Sequence, residues 1–138
     1  ELYGPGRMVI VYVVGGALGF ALSSIAGVQD VIPFLRGAGF TVGASASIFG
    51  LLGALVYYGR RTGSSVVHAQ AMSWAVFMFV FGLIRPGVDN FAHAGGFIGG
   101  YFAGRYVDPL KPERVTHLLW ALGCLVLSLL SILASLIF

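Results

Sequence analysis

Charge is what this sequence lacks most. Only 9% of its 138 residues are Asp, Glu, Lys or Arg, whereas soluble domains carry roughly 25%. Hydrophobic residues make up 58% of the chain, and the mean hydropathy is +0.93. A soluble fold of this length could not bury so much apolar side-chain surface. The composition therefore excludes a soluble domain and indicates an integral membrane protein in one domain spanning residues 1–138.

Cysteine and clustered basic residues are scarce as well. The single cysteine, Cys124, lies inside an apolar run, which predicts a small buried side chain and excludes a disulfide framework. The sequence pI of about 9.4 comes from eight scattered Lys and Arg residues. They are too few and too dispersed for a nucleic-acid surface, so they are interpreted as topology signals. The chain also lacks an initial Met and the pattern of a signal peptide, which is typical of a fragment or a processed piece.

Five apolar segments predict an all-α, polytopic transmembrane bundle of about five helices. The predicted spans are A (Met8–Ile25), B (Ser45–Tyr58), C (Gln70–Ile84), D (Asn90–Tyr106) and E (Val115–Phe138). Spans A and E are long enough to cross a bilayer alone, at about 20 residues per crossing. Spans B, C and D are short, which is typical of helices that are shielded by their neighbours or that end below the membrane surface beside a water-filled cavity.

The Lys and Arg residues predict the orientation of the bundle. Six of them fall on the side that holds the N-terminus and the B–C and D–E loops: Arg7, Arg60, Arg61, Arg105, Lys111 and Arg114. The other side carries only Arg36 and Arg85. The first side, called the basic end below, is therefore predicted to be cytoplasmic. Spans B and D then begin at the outer face, and the long A–B loop (26–42) is predicted to contain an amphipathic piece there.

Rows of small residues at helical spacing mark spans B and D. They are Ala46, Gly50 and Gly53 in span B, and Gly96, Gly100 and Gly104 in span D. Such rows let membrane helices approach backbone to backbone, and ordinary packing is enough to explain them. Because both spans start on the same side, close packing would also bring their first turns together. Those turns carry Ser45 and His93.

A serine and a histidine meeting inside a membrane indicate nucleophilic catalysis. Taken alone, Ser45 is typical of a helix N-cap and His93 of a polar residue near the interface. Together, the imidazole can take the hydroxyl proton while the serine attacks a carbonyl. Unpaired N–H groups at the start of a helix can stabilise the resulting oxyanion. Gly43 leaves the backbone open where a peptide must approach.

The two segments together resemble a known family. GASASIFGLLGAL, followed 48 residues after its serine by the histidine of DNFAHAGGFIGGYFAG, is similar to the rhomboid intramembrane serine proteases, which carry G-x-S-G and A-H-x-G-G segments. The resemblance implies a helical bundle with a cavity open to the outer face. It implies hydrolysis of peptide bonds in or near transmembrane segments of membrane proteins, with a Ser–His dyad and neither metal nor cofactor.

The resemblance assigns roles to individual residues. Ser45 is the expected nucleophile and His93 the general base and acid. The backbone N–H groups of Ser45 and Ala44 are expected to form the oxyanion hole. Phe49 is expected to pack on the histidine ring, with Gly43 supporting the site.

Further residues are expected to support the two helices. Asn90 is expected to orient the loop or cap the helix, without a catalytic role. Gly50, Gly96 and Gly100 are expected to hold the helices close. Ala46 stands where the family usually has glycine.

The family's H-x-x-x-N segment has no match here. The chain is therefore expected to lack the first helices of the usual six- or seven-helix core. The expected partners are transmembrane protein substrates and the lipid bilayer, and the expected location is a prokaryotic plasma membrane. The alternatives are a non-catalytic rhomboid-like protein that binds transmembrane helices, and a piece of a transporter or channel.

Overall fold

The part of the chain that the structure describes contains five α-helices. A computed structural model describes residues 2–29 and 43–137, and within these ranges it contains no β-strand. The helices are α1 (Pro5–Gln29), α2 (Ser45–Thr62), α3 (Ser65–Ile84), α4 (Asn90–Tyr106) and α5 (Val115–Ile137). Among the described residues, α1, α3 and α5 are long and apolar enough to cross a membrane. The predicted all-α membrane bundle is confirmed.

Span C is longer than predicted. Its helix, α3, begins at Ser65 and has 20 residues, so the expectation of a short span was wrong. The side chain of Ser64 caps this helix by accepting a hydrogen bond from the Val67 N–H at 3.4 Å. His68 and Gln70 lower the local hydropathy without ending the helix. In the A–B connection, α1 continues to Gln29, and the predicted amphipathic piece falls on residues 30–42, outside the described residues.

Glycines bring three helices into backbone contact at the centre. Helices α2 and α4 pack closely along their length, and α1 covers both. A Cβ added to Gly100 of α4 would overlap the carbonyl of Gly50 in α2. A Cβ on Gly50 would in turn lie 3.0 Å from the Cα of Gly15 in α1. The absence of side chains at these positions is what allows the three backbones to meet.

Arg7 ties the start of α1 to the connection between α4 and α5. Its side chain is only 4% exposed, and its Nη1 donates to the carbonyls of Asp108 and Lys111, both at 2.7 Å. A longer bond of 3.5 Å reaches the carbonyl of Val107, the C-cap of α4. The backbone N–H of Arg7 donates to Glu113 Oε1 at 2.9 Å. A buried cation thus stabilises the negative end of the α4 dipole.

Candidate active site

Ser45 is the first residue of α2. Ala44 occupies the N-cap position and makes no side-chain cap, so Ser45 is not the N-cap. The Ser45 side chain is half-buried, and among the described residues its hydroxyl has no hydrogen-bond partner. The first intrahelical bond runs from Ile48 N to Ala44 O, which leaves the preceding N–H groups without a helical partner. Gly43 has φ +106°, a conformation that favours glycine.

The start of α4 is fixed by Asp89. One oxygen of this N-cap carboxylate accepts from the Ala92 N–H at 2.9 Å. The other accepts a hydrogen bond from the Ser23 hydroxyl of α1. Both side chains are buried. The Ser23–Asp89 pair therefore fixes the first turn of α4, which carries the histidine, against α1.

The imidazole of His93 lies buried against an aromatic ring. His93 is 4% exposed and Phe49 is 2% exposed. Their rings stack with centroids 4.2 Å apart and an interplanar angle of 15°. Because Phe49 lies one turn after Ser45 on α2, the stack places the histidine next to the first turns of α2.

Asn90 holds the other edge of the imidazole. Its Nδ2 donates to the Phe79 carbonyl of α3 at 3.2 Å, so its Oδ1 faces His93 Nδ1, also at 3.2 Å. With the amide fixed this way, Nδ1 of a neutral His93 must carry the proton and Nε2 must be the acceptor. Gly82 makes room for the contact, since a Cβ there would overlap the Asn90 amide oxygen.

The backbones of α2 and α4 touch one residue beyond Ser45. A Cβ added to Gly96 would overlap the Ala46 carbonyl oxygen. The Ala46 side chain packs against α1, where a Cβ at Gly19 would lie 2.8 Å from the Ala46 Cβ. The missing side chain of Gly19 therefore accommodates Ala46. Since His93 lies one turn before Gly96, the two first turns lie side by side.

Ser47 and the other two histidines of the chain have different surroundings from Ser45 and His93. Ser47 packs against α1, where a Cβ at Gly16 would overlap its hydroxyl. His117 lies at the basic end and accepts a hydrogen bond from the Arg114 N–H at 3.2 Å. His68 lies in the first turn of α3 at the same end. In the described part of the chain, no group of three or more His, Cys, Asp or Glu residues could hold a metal ion.

An apolar groove of about 290 Å³ adjoins His93 between α3 and α4. Apart from the histidine it is lined by apolar side chains: Phe49, Met72, Ala75, Val76, Phe79, Val80, Ala94, Phe97 and Ile98. An imidazole at the edge of an apolar groove can serve a reaction on a largely apolar chain. The bundle and its buried histidine together define a helical membrane protein with a polar site at one end.

Sequence reasoning missed part of this arrangement. Asn90 does not cap α4, because Asp89 does, and its contact with the imidazole was not foreseen. The i, i+3 spacing of Asn90 and His93 was the available signal, since residues three apart share a helix face. The bond between Ser23 and Asp89 joins distant parts of the chain and leaves no local signal.

Comparison with known proteins identifies the family. The Rhomboid domain matches residues 1–109. Rhomboid protease GluP of Bacillus subtilis is 33% identical over 106 residues, which cover 75% of this chain and 19% of the relative. RHOMBOID-like protein 1 of Arabidopsis thaliana is 35% identical, covering 80% of this chain and 27% of the relative. The chain belongs to the rhomboid family.

The relatives differ in length and in activity. Inactive rhomboid protein 1 of Papio anubis is 31% identical over 107 residues, which cover 74% of this chain and 11% of the relative. The chain thus spans between about a tenth and a quarter of the length of these three relatives. No solved structure matches the chain. The expected prokaryotic origin is not supported, because relatives of similar identity come from a bacterium and a plant.

Proposed function

We propose that this chain forms the catalytic part of an intramembrane serine endopeptidase that cleaves peptide bonds in or near transmembrane segments. The observation that carries the proposal is the seating of His93 between the Phe49 ring and the Asn90 amide. That seating leaves Nε2 as a base beside the first turn of α2. Family membership and a relative named as a protease support the same reading.

The mechanism follows from these positions. His93 Nε2 takes the proton of the Ser45 hydroxyl as Oγ attacks the peptide carbonyl. The N–H groups of Ser45 and Ala44 stabilise the oxyanion of the tetrahedral intermediate. The imidazolium then protonates the leaving amine, which departs and leaves an acyl-serine. Water, deprotonated by His93, attacks this ester and releases the carboxylic acid with Ser45 restored.

The substrate class follows from the surroundings of the histidine. The apolar groove between α3 and α4 would receive an apolar side chain next to the scissile bond. Its position supports substrates that are themselves transmembrane segments. By the distribution of basic residues, the site opens away from the cytoplasm. The backbone contacts of Gly50, Gly96 and Gly100 keep α2 and α4 close together, which supports a reaction that uses one residue from each helix.

The alternative function is a non-catalytic protein that binds transmembrane helices. Two observations favour it: a relative named as inactive, and a Ser45 hydroxyl without a hydrogen-bond partner among the described residues. Unaligned catalytic hydrogen bonds are common in proteins without substrate and tighten when substrate binds. The presence of both Ser45 and His93 therefore favours the protease.

Labelling by a fluorophosphonate distinguishes the two functions. We expect the probe to attach to Ser45 in detergent, with the adduct located by peptide mass spectrometry. Labelling should disappear in Ser45→Ala and His93→Ala, because the hydroxyl reacts only when the imidazole removes its proton. Ser47→Ala is the matched control and should be labelled like the parent. An unlabelled parent, or an adduct that survives His93→Ala, contradicts the protease.

Asn90 is proposed to position the imidazole rather than to take part in the chemistry. We expect Asn90→Ala to lower kcat about 10-fold with little change in KM, because one hydrogen bond of about 1–1.5 kcal/mol to the ring is lost. Asn90→Asp, which keeps an acceptor for Nδ1–H, should retain more activity and shift the acidic limb of the pH–rate profile to higher pH. Equal rates and identical pH profiles for both variants would contradict this role.

A further inference from the structure

A second groove lies at the basic end and shares no lining residue with the groove beside His93. It has a volume of about 1160 Å³ and is formed by α1, α4 and α5. Within the described ranges, α5 packs against α1 and makes no close backbone contact with α4. Residues Ile10, Val14 and Leu18 of α1 therefore form the floor of an open trough.

The groove changes character along its length. At the basic end it is lined by Arg105, Thr116 and His117, and deeper in the bundle by apolar side chains such as Leu18 and Phe102. Its floor runs from Ile10 to Leu18, about 12 Å along a helix axis at 1.5 Å per residue. Half of a hydrocarbon core of about 30 Å is roughly 15 Å. The groove therefore matches the acyl region of one leaflet and is too short for a crossing helix.

The charged end of the groove lacks a partner of its own. Among the described residues, the Arg105 guanidinium makes neither a hydrogen bond nor an ion pair. The carbonyls at the end of α4 that could have neutralised it are bonded by Arg7 instead. Thr116 adds a hydroxyl in the first turn of α5, where backbone N–H groups have no helical partner.

We propose that this groove binds one anionic phospholipid, with the phosphate at Arg105 and Thr116 and an acyl chain along the α1 floor. Basic pockets between transmembrane helices on the cytoplasmic side bind such headgroups. The hydrogen bonds from Arg7 to the carbonyls of Asp108 and Lys111 tie the connection between α4 and α5, the two helices that line the groove beside α1, to the start of α1. This site is independent of Ser45 and His93, so it can be tested whether or not the chain is a protease.

The two tryptophans of the chain provide the test. Trp120 lines the groove, while Trp74 lies on α3, away from it. Both side chains are exposed, Trp120 by 70% and Trp74 by 55%. A Trp74→Phe protein therefore reports on the groove, and a Trp120→Phe protein reports on the general lipid surface. Each protein is reconstituted in phosphatidylcholine vesicles in two series. One series contains increasing fractions of brominated phosphatidylglycerol, and the other contains increasing fractions of brominated phosphatidylcholine. Bromine on the acyl chains quenches the fluorescence of a tryptophan that it contacts.

We compare the fraction of brominated lipid that halves the fluorescence of Trp120. This fraction should be about fivefold lower for phosphatidylglycerol than for phosphatidylcholine, because one Arg–phosphate contact favours the anionic lipid by about that factor. Trp74 should respond equally to both lipids. Arg105→Gln should remove the preference, whereas Arg61→Gln, a matched change at the same end but outside the groove, should keep it. Inorganic phosphate should not compete, because it cannot occupy the apolar floor.

Three outcomes would overturn the proposal. Equal quenching of Trp120 by the two lipids would mean ordinary bilayer contact. A preference that survives Arg105→Gln would place the headgroup elsewhere. Protection of Trp120 from both lipids would mean that a protein segment fills the groove.

Discussion

Replacing His93 by alanine is expected to lower the proposed peptide-bond hydrolysis by about 10⁴- to 10⁶-fold, as loss of the base does in serine hydrolases. The Ser45 hydroxyl would lose the imidazole that removes its proton, and among the described residues no other histidine lies near α2's first turn. The Phe49 ring would lose its stacking partner, so folding must be checked separately.

Replacing Ser45 and His93 singly and together tests whether the two residues act as one unit. Single-turnover cleavage of a transmembrane substrate in vesicles should fall equally in Ser45→Ala, His93→Ala and the double variant. Ser47→Ala should cleave at the parent's rate, since its side chain packs against α1. Losses that multiply in the double variant, or a His93→Ala protein within tenfold of the parent, would show that the two residues do not cooperate.

The ends of the helices were predictable where local chemistry sets them. The predicted bounds of span D coincide with α4, because Asp89 can cap its first turn and polar residues follow Tyr106. The predicted start of span C was five residues too late, because the polar residues His68 and Gln70 lower the hydropathy of the first turns of α3. Local caps and polar runs are visible in a sequence, whereas amphipathic ends of membrane helices are not.

The site was less predictable than the helices that build it. The small-residue rows indicated that Ser45 and His93 lie on adjacent helices, and the geometry places their first turns side by side. Asn90 could not be placed, because its orientation depends on the Phe79 carbonyl of another helix. Arg7 was interpreted only as a topology signal, and the sequence did not indicate that it is buried or that carbonyls about 100 residues away accept its hydrogen bonds. Such polar contacts between distant residues depend on how the helices pack, and the local sequence does not indicate them.

Replacing Gly100 by alanine is expected to destabilise the bundle by about 3 kcal/mol, at the upper end of the cost of overpacking. The new Cβ would overlap the carbonyl oxygen, the carbonyl carbon and the Cα of Gly50. These are backbone atoms, which a change of side-chain rotamer cannot move. Helices α2 and α4 would have to separate. If the proposed dyad is correct, activity should fall along with stability, because Ser45 and His93 lie on the two helices that would separate.

Two other glycines give a graded comparison for the Gly100 change. A Cβ at Gly104 would lie 2.7 Å from the Tyr3 hydroxyl, 2.8 Å from the Ala54 Cβ and 3.0 Å from the Ala54 Cα. These distances are longer than the ones at Gly100, so Gly104→Ala should cost less. Gly123 in α5 has nothing within 4 Å, and Gly123→Ala should be neutral or slightly stabilising. Unfolding in mixed micelles by increasing fractions of dodecyl sulfate measures all three. A Gly100→Ala protein as stable as Gly123→Ala would mean that α2 and α4 are not in backbone contact, and the proposed juxtaposition of Ser45 and His93 would lose its physical basis.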